Sequence, residues 1–378
     1  MNSFTTLQKY KKNKILYNIG RPHQSPRQDS YKYFIIIPSF SESDYIFDTL
    51  NTISNQNSDL LLQTLIVIVI NNAERDSLQI KKNNQQTYDM LLQATYPFEM
   101  IVIDCFSDQN ALDDLKAGVG LARKIGYDYC IQYAEYTSLF LSLDADTLIH
   151  QDYLLYISDY FLKYKNDSAV VNFQHQSNDN IKIQKAILEY EKLLKNIAYQ
   201  IQLTGSPYGF VSMGSTIICT MNSYIAVGGM SIKKATEDFY FLQKLAKYSK
   251  VHRIEKVLVY PSSRPETRVY LGTGFRMSNI HMNHVFNDLY INPEAYLVLK
   301  YFFNIIIQCW NHDIKEILLS VQKKSSKLYD YLEKENFINA FKKIQDNSND
   351  KKQLLSQFHI WFDNLKLYKF LKLYVNEN

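Results

Sequence analysis

The chain has 378 residues, of which 46% are hydrophobic and 21% charged. That length allows one large α/β domain with an appendage, or two domains. Its 42 basic and 38 acidic residues nearly balance at a net charge of +4, which leaves no electrostatic case for nucleic acid as a partner.

The N-terminus, MNSFTTLQKYKKNK, lacks the continuous apolar core of a signal peptide. The strongest apolar runs, 60–70 and 301–307, are both interrupted and far short of the roughly 20 residues that span a bilayer. A cytoplasmic protein is expected, with docking on the inner face of a membrane left open through the aromatic, lysine-containing C-terminal segments. Cys105, Cys130, Cys219 and Cys309 form no CxxC pair. The first three sit in apolar surroundings and read as small buried hydrophobes of a reducing compartment.

Residues 1–30 are polar, carry Pro22 and Pro26, and read as an extended lead-in. Residues 33–38 (YFIIIP) then predict a buried strand, 39–44 a polar turn and 45–53 an amphipathic helix. A second apolar run, 65–70, stops at Asn71-Asn72. Helical residues 87–94 lead to a third run, 100–103, which stops at Asp104. Spacing predicts a helix over 115–125, and 139–143 is a fourth strand ending at Asp144-Ala145-Asp146.

Strands that are continuously apolar rather than alternating imply a sheet covered on both faces, hence mostly parallel. Ligands of such sheets bind outside the carboxyl ends of the strands. Residues 39–42, Asn71-Asn72, Asp104 and 144–146 are expected to converge there. Beyond them, 204–230 is glycine-rich and 237–246 helical. From about 285 the chain turns helical, with Leu354, Phe358, Trp361, Phe362 and Leu365 at helical spacing. The expected organisation is a lead-in over 1–30, an α/β domain over 31–284 and a helical region over 285–378.

Two acids flanking one small residue directly after a buried strand suit a hard divalent cation, Mg²⁺ or Mn²⁺, that keeps open positions for phosphate oxygens. Asp146 is the candidate metal ligand, and Asp144 is placed to reach a ribose hydroxyl. A bare pair of acids on a solvated turn is the plain alternative. Thr236-Glu237-Asp238 opens a helix, which reads as a threonine N-cap with acids favourable to the helix dipole. A carboxylate on so rigid a helix start also makes a platform for a general base.

Gly214-Ser215-Thr216 and Gly228-Gly229-Met230 bracket a strand and turn, either for close approach to a ligand or for positive φ. Arg264, Arg268 and Arg276, near Gly272-Thr273-Gly274, suit a diphosphate or are scattered surface arginines. There is no GxGxxG, GxxxxGK[ST], HExxH or GxSxG, and the histidines show no convincing metal spacing.

In this order the motifs resemble those of the family 2 glycosyltransferases, over roughly residues 33–276. Ile35-Ile36-Ile37-Pro38-Ser39-Phe40-Ser41-Glu42 resembles that family's opening strand and turn, and Gly118-Val119-Gly120-Leu121-Ala122-Arg123-Lys124-Ile125-Gly126 its G-x-x-x-A-R-N-x-G helix. Leu141-Ser142-Leu143-Asp144-Ala145-Asp146 is similar to its DxD segment, and Gly228-Gly229-Met230 with Glu237-Asp238 to its GGF…ED segment.

The resemblance implies an α/β, GT-A-like (Rossmann-like) fold with a mostly parallel central sheet flanked by helices and a C-terminal helical region. It implies Asp146 as ligand of Mg²⁺ or Mn²⁺, and Asp238 as the base with Glu237 beside it. Pro38, Ser39, Phe40 and Glu42, with Asn71, Asn72, Asp104, Arg123, Asp144 and Ala145, fall to the nucleotide sugar, UDP- or GDP-linked. Gly214, Ser215, Arg268, Thr273 and Arg276 fall to the acceptor and diphosphate. Asn71-Asn72 stands where the family carries two aspartates, and of the processive Q-x-x-R-W motif only Arg276 is present, so nucleotide and processivity stay open.

The function implied is inverting, metal-dependent transfer of a sugar to a hydroxyl of a glycan, a lipid-linked sugar or a small metabolite, with no nucleic acid involved. Two alternatives stay open: a catalytically silent nucleotide- or sugar-binding subunit of the same fold, and a nucleotidyltransferase. The latter lacks a basic glycine-rich loop after the first strand.

Overall fold

The computed structural model of the chain describes residues 3–16, 19–267, 271–282, 284–308 and 310–375. Arg268, expected at the diphosphate, and Cys309 lie outside the described residues. The chain forms two compact units. One comprises residues 1–179 and 212–274, the other 180–211 and 275–378.

The first unit is built on nine strands: β1 (Arg21–Pro22), β2 (Tyr31–Ser39), β3 (Thr64–Asn71), β4 (Glu99–Cys105), β5 (Ala134–Ser142), β6 (Leu148–Ile149), β7 (Ser168–Phe173), β8 (Ile217–Thr220) and β9 (Val251–Tyr260). Their order across the sheet is β1-β4-β3-β2-β5-β8-β7-β9-β6. The centre, β4-β3-β2-β5, is parallel throughout, and β7 and β9 are parallel. This is the α/β arrangement with a mostly parallel central sheet expected from the apolar runs.

Every residue of β3 is buried, as a strand covered on both faces requires. On one face the helix Val119–Cys130 lies so close that a Cβ on Gly126 would stand 2.6 Å from Ile36 Cγ2. On the other face Tyr33 Oη meets Ser158 Oγ of the helix Tyr153–Tyr164 at 2.7 Å. Parallel register sets Ser39 beside Ile70 and Ile70 beside Asp104, while Leu143 N–H donates to the Ile36 carbonyl. The strand-end residues therefore open onto one edge.

The first thirty residues differ from the extended lead-in expected. Ser3–Asn13 is a helix, and β1 adds an antiparallel edge strand to β4. Tyr10 is the one buried residue of that helix. Its hydroxyl donates to Asp128 Oδ1 at 2.7 Å and accepts from Lys124 Nζ at 2.7 Å, and Lys124 and Asp128 themselves form a buried ion pair at 2.9 Å. A polar anchor of this kind leaves no apolar periodicity in the sequence.

The second unit is helical, running through Ile181–Leu203, Pro293–Gln308 and five further helices to Asn364–Leu371. Phe302, Phe337, Phe341, Phe358 and Phe362 form its aromatic centre. Helix Ile181–Leu203 belongs to this unit although it precedes the last two strands in sequence. Among the described residues, no helix is long and apolar enough to cross a membrane.

Candidate active site

The segments after β2, β5 and β9, the helix Val119–Cys130 and the start of the helix Glu237–Tyr248 build the site, all within the first unit. Helix Val119–Cys130 begins against the segment before Glu237. A Cβ on Gly118 would stand 2.9 Å from Lys234 Cα, and one on Gly120 2.7 Å from the Ser231 carbonyl. The two glycines thus let the helix seat the acidic segment beside Arg123, one turn further on.

Arg123 is the hub. Its side chain is 3% exposed, and its guanidinium pairs with Glu237 Oε1 through Nη1 and with Asp144 Oδ1 through Nη2. Those partners lie 114 and 21 residues away in sequence. Gly214 packs flat against the same guanidinium, where any side chain would collide with it. Burial alone would lower the arginine's pKa, but the Asp144, Glu237 and Asp238 carboxylates reverse this and raise it.

The acid pair behaves in the opposite way. Burial pushes the Glu237 carboxyl up to about 7, against the pull of Arg123 and with Asp238 adding to the rise. Burial also raises Asp238, opposed by Arg123 and by the Phe239 N–H that its Oδ1 accepts at 2.7 Å. The arginine's charge is secure, so a proton taken up here resides on the two acids. An acid raised toward neutrality is what a general base requires.

The threonine N-cap expected at 236 does not form. Thr236 has φ +65°, in the left-handed region disfavoured for a β-branched residue, and its hydroxyl donates to the Ala235 carbonyl at 2.6 Å instead of capping the helix. Backbone strain of this sort collects where a site demands one orientation, here that of Glu237 and Asp238.

Asp146, two residues beyond Asp144, is bound to a second arginine. Arg264 Nη2 stands 3.1 Å from Asp146 Oδ2 and 2.7 Å from each oxygen of buried Glu42, with its guanidinium 4.0 Å over the Tyr45 ring. Burial would lower the Arg264 pKa, and Asp146 and Glu42 raise it instead. The sequence marked Glu42 and, as part of a loose cluster, Arg264. Their pairing across 222 residues had no local signal.

Five carboxylates, Glu42, Asp144, Asp146, Glu237 and Asp238, thus face two guanidiniums. The donors around Asp146 are carboxylate oxygens, and its side chain is 20% exposed. Such a set fits a hard divalent cation. Among the described residues no three His, Cys, Asp or Glu side chains gather to hold a metal by themselves. An ion here would complete its shell with phosphate oxygens and water.

Other expected site residues are placed differently. Asp104 is engaged inside its own loop. Its oxygens accept from Phe106 N–H, Ser107 N–H, Ser107 Oγ and Asn110 Nδ2 at 2.7–3.0 Å, and these bonds overcome the effect of burial and lower its pKa. Asn71 and Asn72 are buried cross-links between strand ends. Asn71 Nδ2 donates to the Ser39 carbonyl at 2.9 Å, and Asn72 Nδ2 donates to the Phe106 carbonyl at 3.2 Å. Asn84 Nδ2 donates to the Asn72 side chain at 2.9 Å.

Pro38 is buried within β2 and Phe40 is partly buried after it. Ala145 is buried, and its carbonyl accepts from Thr49 Oγ1 at 2.8 Å. The buried hydroxyls of Ser39 and Ser215 lack partners among the described residues. Thr273 Oγ1 lies 3.3 Å from His175 Nε2. Arg276 falls in the second unit, where its guanidinium grips both oxygens of Asp288 at 2.6 and 2.7 Å. Gly228 and Gly229 both have positive φ, and Gly229 faces the Tyr10 hydroxyl. Their role is the turn and a close approach within the fold.

No protein-family model matches the chain, and no curated protein matches it. Among solved structures it is similar to residues 1–349 of TarS from S. aureus in complex with UDP-GlcNAc, at 14% identity and TM-score 0.45, over 87% of this chain and 91% of that one. It is also similar to the mannosyltransferase PcManGT from Pyrobaculum calidifontis in complex with GDP-Man and Mn²⁺, at 12% identity and TM-score 0.41, over 95% of each chain.

Proposed function

We infer that the chain moves a sugar from a nucleoside-diphosphate sugar to an acceptor hydroxyl, with Asp238 as base and Asp146 as the protein ligand of Mg²⁺ or Mn²⁺. One observation carries this reading. Asp144 and Glu237, from separate motifs, are held by the buried guanidinium of a third motif, Arg123, at the carboxyl edge of the parallel strands. Asp144, read as a nucleotide-sugar contact, and the helix start, read as bearing the base, thus share one arginine.

The reaction is a single in-line displacement. The acceptor oxygen forms a bond to the anomeric carbon, the bond from that carbon to the diphosphate oxygen breaks, and the acceptor proton passes to Asp238. One base acting opposite the leaving group inverts the anomeric configuration. When bound on Asp146, the divalent ion supplies charge neutralisation for the departing nucleoside diphosphate. Arg123 holds Glu237 and Asp144 apart at fixed positions, which orients the neighbouring Asp238. The acceptor is a glycan, a lipid-linked sugar or a small metabolite bearing a free hydroxyl.

A thermal-shift and calorimetric screen of UDP, GDP and their sugars, with and without Mn²⁺, tests the proposal. Metal-dependent binding of one nucleotide that disappears in Asp146→Ala is the expected result, followed by loss of transfer in Asp238→Asn with binding retained. Absence of nucleotide binding at millimolar concentration would sink it.

A further inference from the structure

The displacement above leaves the Arg264–Glu42 pair without a task. Arg264 sits on a loop directly after β9, and one nitrogen, Nη2, reaches three carboxylate oxygens, two of Glu42 and one of Asp146. The Arg264 side chain is only 16% exposed, and its guanidinium is backed by the Tyr45 ring. An arginine is charged at every working pH, so its positive charge leaves this position only by movement, never by titration. The carboxylate on which a divalent ion would sit therefore already has a cation, and that cation is tethered to the chain.

We propose that Arg264 competes with the divalent metal for Asp146, so that the metal binds well only together with a diphosphate. The proposal rests on the reading of the cluster as a nucleotide-sugar site. Glu42, with two contacts to Arg264, retains the arginine when Asp146 is given up, so release from Asp146 does not strand a buried charge. Phosphate oxygens are the acceptors that suit a guanidinium freed from one carboxylate. Metal and diphosphate then raise each other's affinity by more than their direct contact, and by linkage the effect is reciprocal. The consequence is a site that resists loading with metal alone.

The test titrates Mn²⁺, followed by its free-ion electron paramagnetic resonance signal, into wild type, Arg264→Gln, Arg264→Lys and Arg253→Gln, each alone and with UDP or GDP. Arg253 lies seven residues before the end of β9, roughly 20 Å from that end along the strand, a separation beyond the Debye length at which salt screens charge. It controls for the loss of one positive charge. Arg264→Gln should bind Mn²⁺ alone about tenfold tighter than wild type, with the gain on adding diphosphate reduced by a similar factor. Arg264→Lys, which keeps the charge but loses the planar guanidinium and its stacking on Tyr45, should fall between, and Arg253→Gln should match wild type.

Equal affinity for Mn²⁺ alone in wild type and both Arg264 variants overturns the proposal while leaving metal-dependent diphosphate binding, and the function, intact. An equal gain in Arg253→Gln also overturns it, since bulk charge then suffices. A wild-type chain that binds neither diphosphate fails the function instead, and the comparison with Mn²⁺ alone still decides the role of Arg264. If Arg264→Gln does not fold, Arg264→Lys decides on the same criterion.

Discussion

Gly214→Ala is the smallest change that attacks the Arg123 hub. A methyl carbon needs about 3.5 Å of clearance from neighbouring heavy atoms. At 214 it would land more than an ångström short of that from Nη1, Nη2 and Cζ of Arg123. A free arginine would swing aside, but this one is 3% exposed and pinned by Glu237 and Asp144. Relief therefore requires strain in the core, typically about 1–3 kcal/mol, or loss of an ion pair. Breaking a buried pair outright costs about 3–5 kcal/mol, and the one-third exposure of Asp144 reduces its share.

We expect Gly214→Ala to lower stability by about 3 kcal/mol, measured by urea unfolding at neutral pH. The decisive comparison is a double-mutant cycle with Arg123→Met. With the guanidinium gone the methyl has nothing to displace, so the alanine should add less than about 0.5 kcal/mol to the cost of the methionine. Additive losses, or a Gly214→Ala protein as stable as wild type, would refute the close packing of Gly214 on Arg123.

The remaining expectations concern pH and the N-terminal anchor. Glu237 binds its proton with a pKa of about 7 when folded against 4.5 as a free side chain, so the folded state holds a proton that the unfolded chain has lost between those values. This contribution to stability is fully present below about pH 4.5 and disappears as pH rises through about 7, with a slope of at most about 1.4 kcal/mol per pH unit. Glu237→Gln should flatten the fall in Tm across that window, and an unchanged slope would assign the fall to other groups. Tyr10→Phe removes two hydrogen bonds to the buried Lys124–Asp128 pair and should cost about 2 kcal/mol in urea unfolding. A loss below about 0.5 kcal/mol would mean that the Ser3–Asn13 helix is not anchored through that hydroxyl.

What could be read along the chain was whatever repeats locally. The runs at 33–38, 65–70, 100–103 and 139–143 stand out because a strand segment buried on both faces must be apolar at nearly every position. Their abrupt polar ends located the edge on which Asp144, Asp146 and Glu42 gather. Helix Glu237–Tyr248 was legible from its spacing, and the C-terminal helices from their aromatic stripe.

Contacts between distant residues were not legible. The Ser3–Asn13 helix buries one tyrosine through a polar network, so hydropathy carried no trace of it. Thr236 looked like a helix cap because composition does not report φ. Asn71, Asn72 and Asp104 occupy strand ends where ligands bind, yet their side chains turn inward to satisfy backbone and loop. Helix Ile181–Leu203 is amphipathic in either unit, and only its packing assigns it to the second.

The sequence by itself therefore determined the α/β class, the parallel sheet and the set of acids at its edge, because hydrophobic periodicity and strand termination are properties of neighbours in the chain. Tertiary structure alone decided how those charges are partitioned: Arg123 to Asp144 and Glu237, Arg264 to Glu42 and Asp146. The physical reason is that an ion pair depends on distance and desolvation in space, and nothing local to either partner records where the other will be.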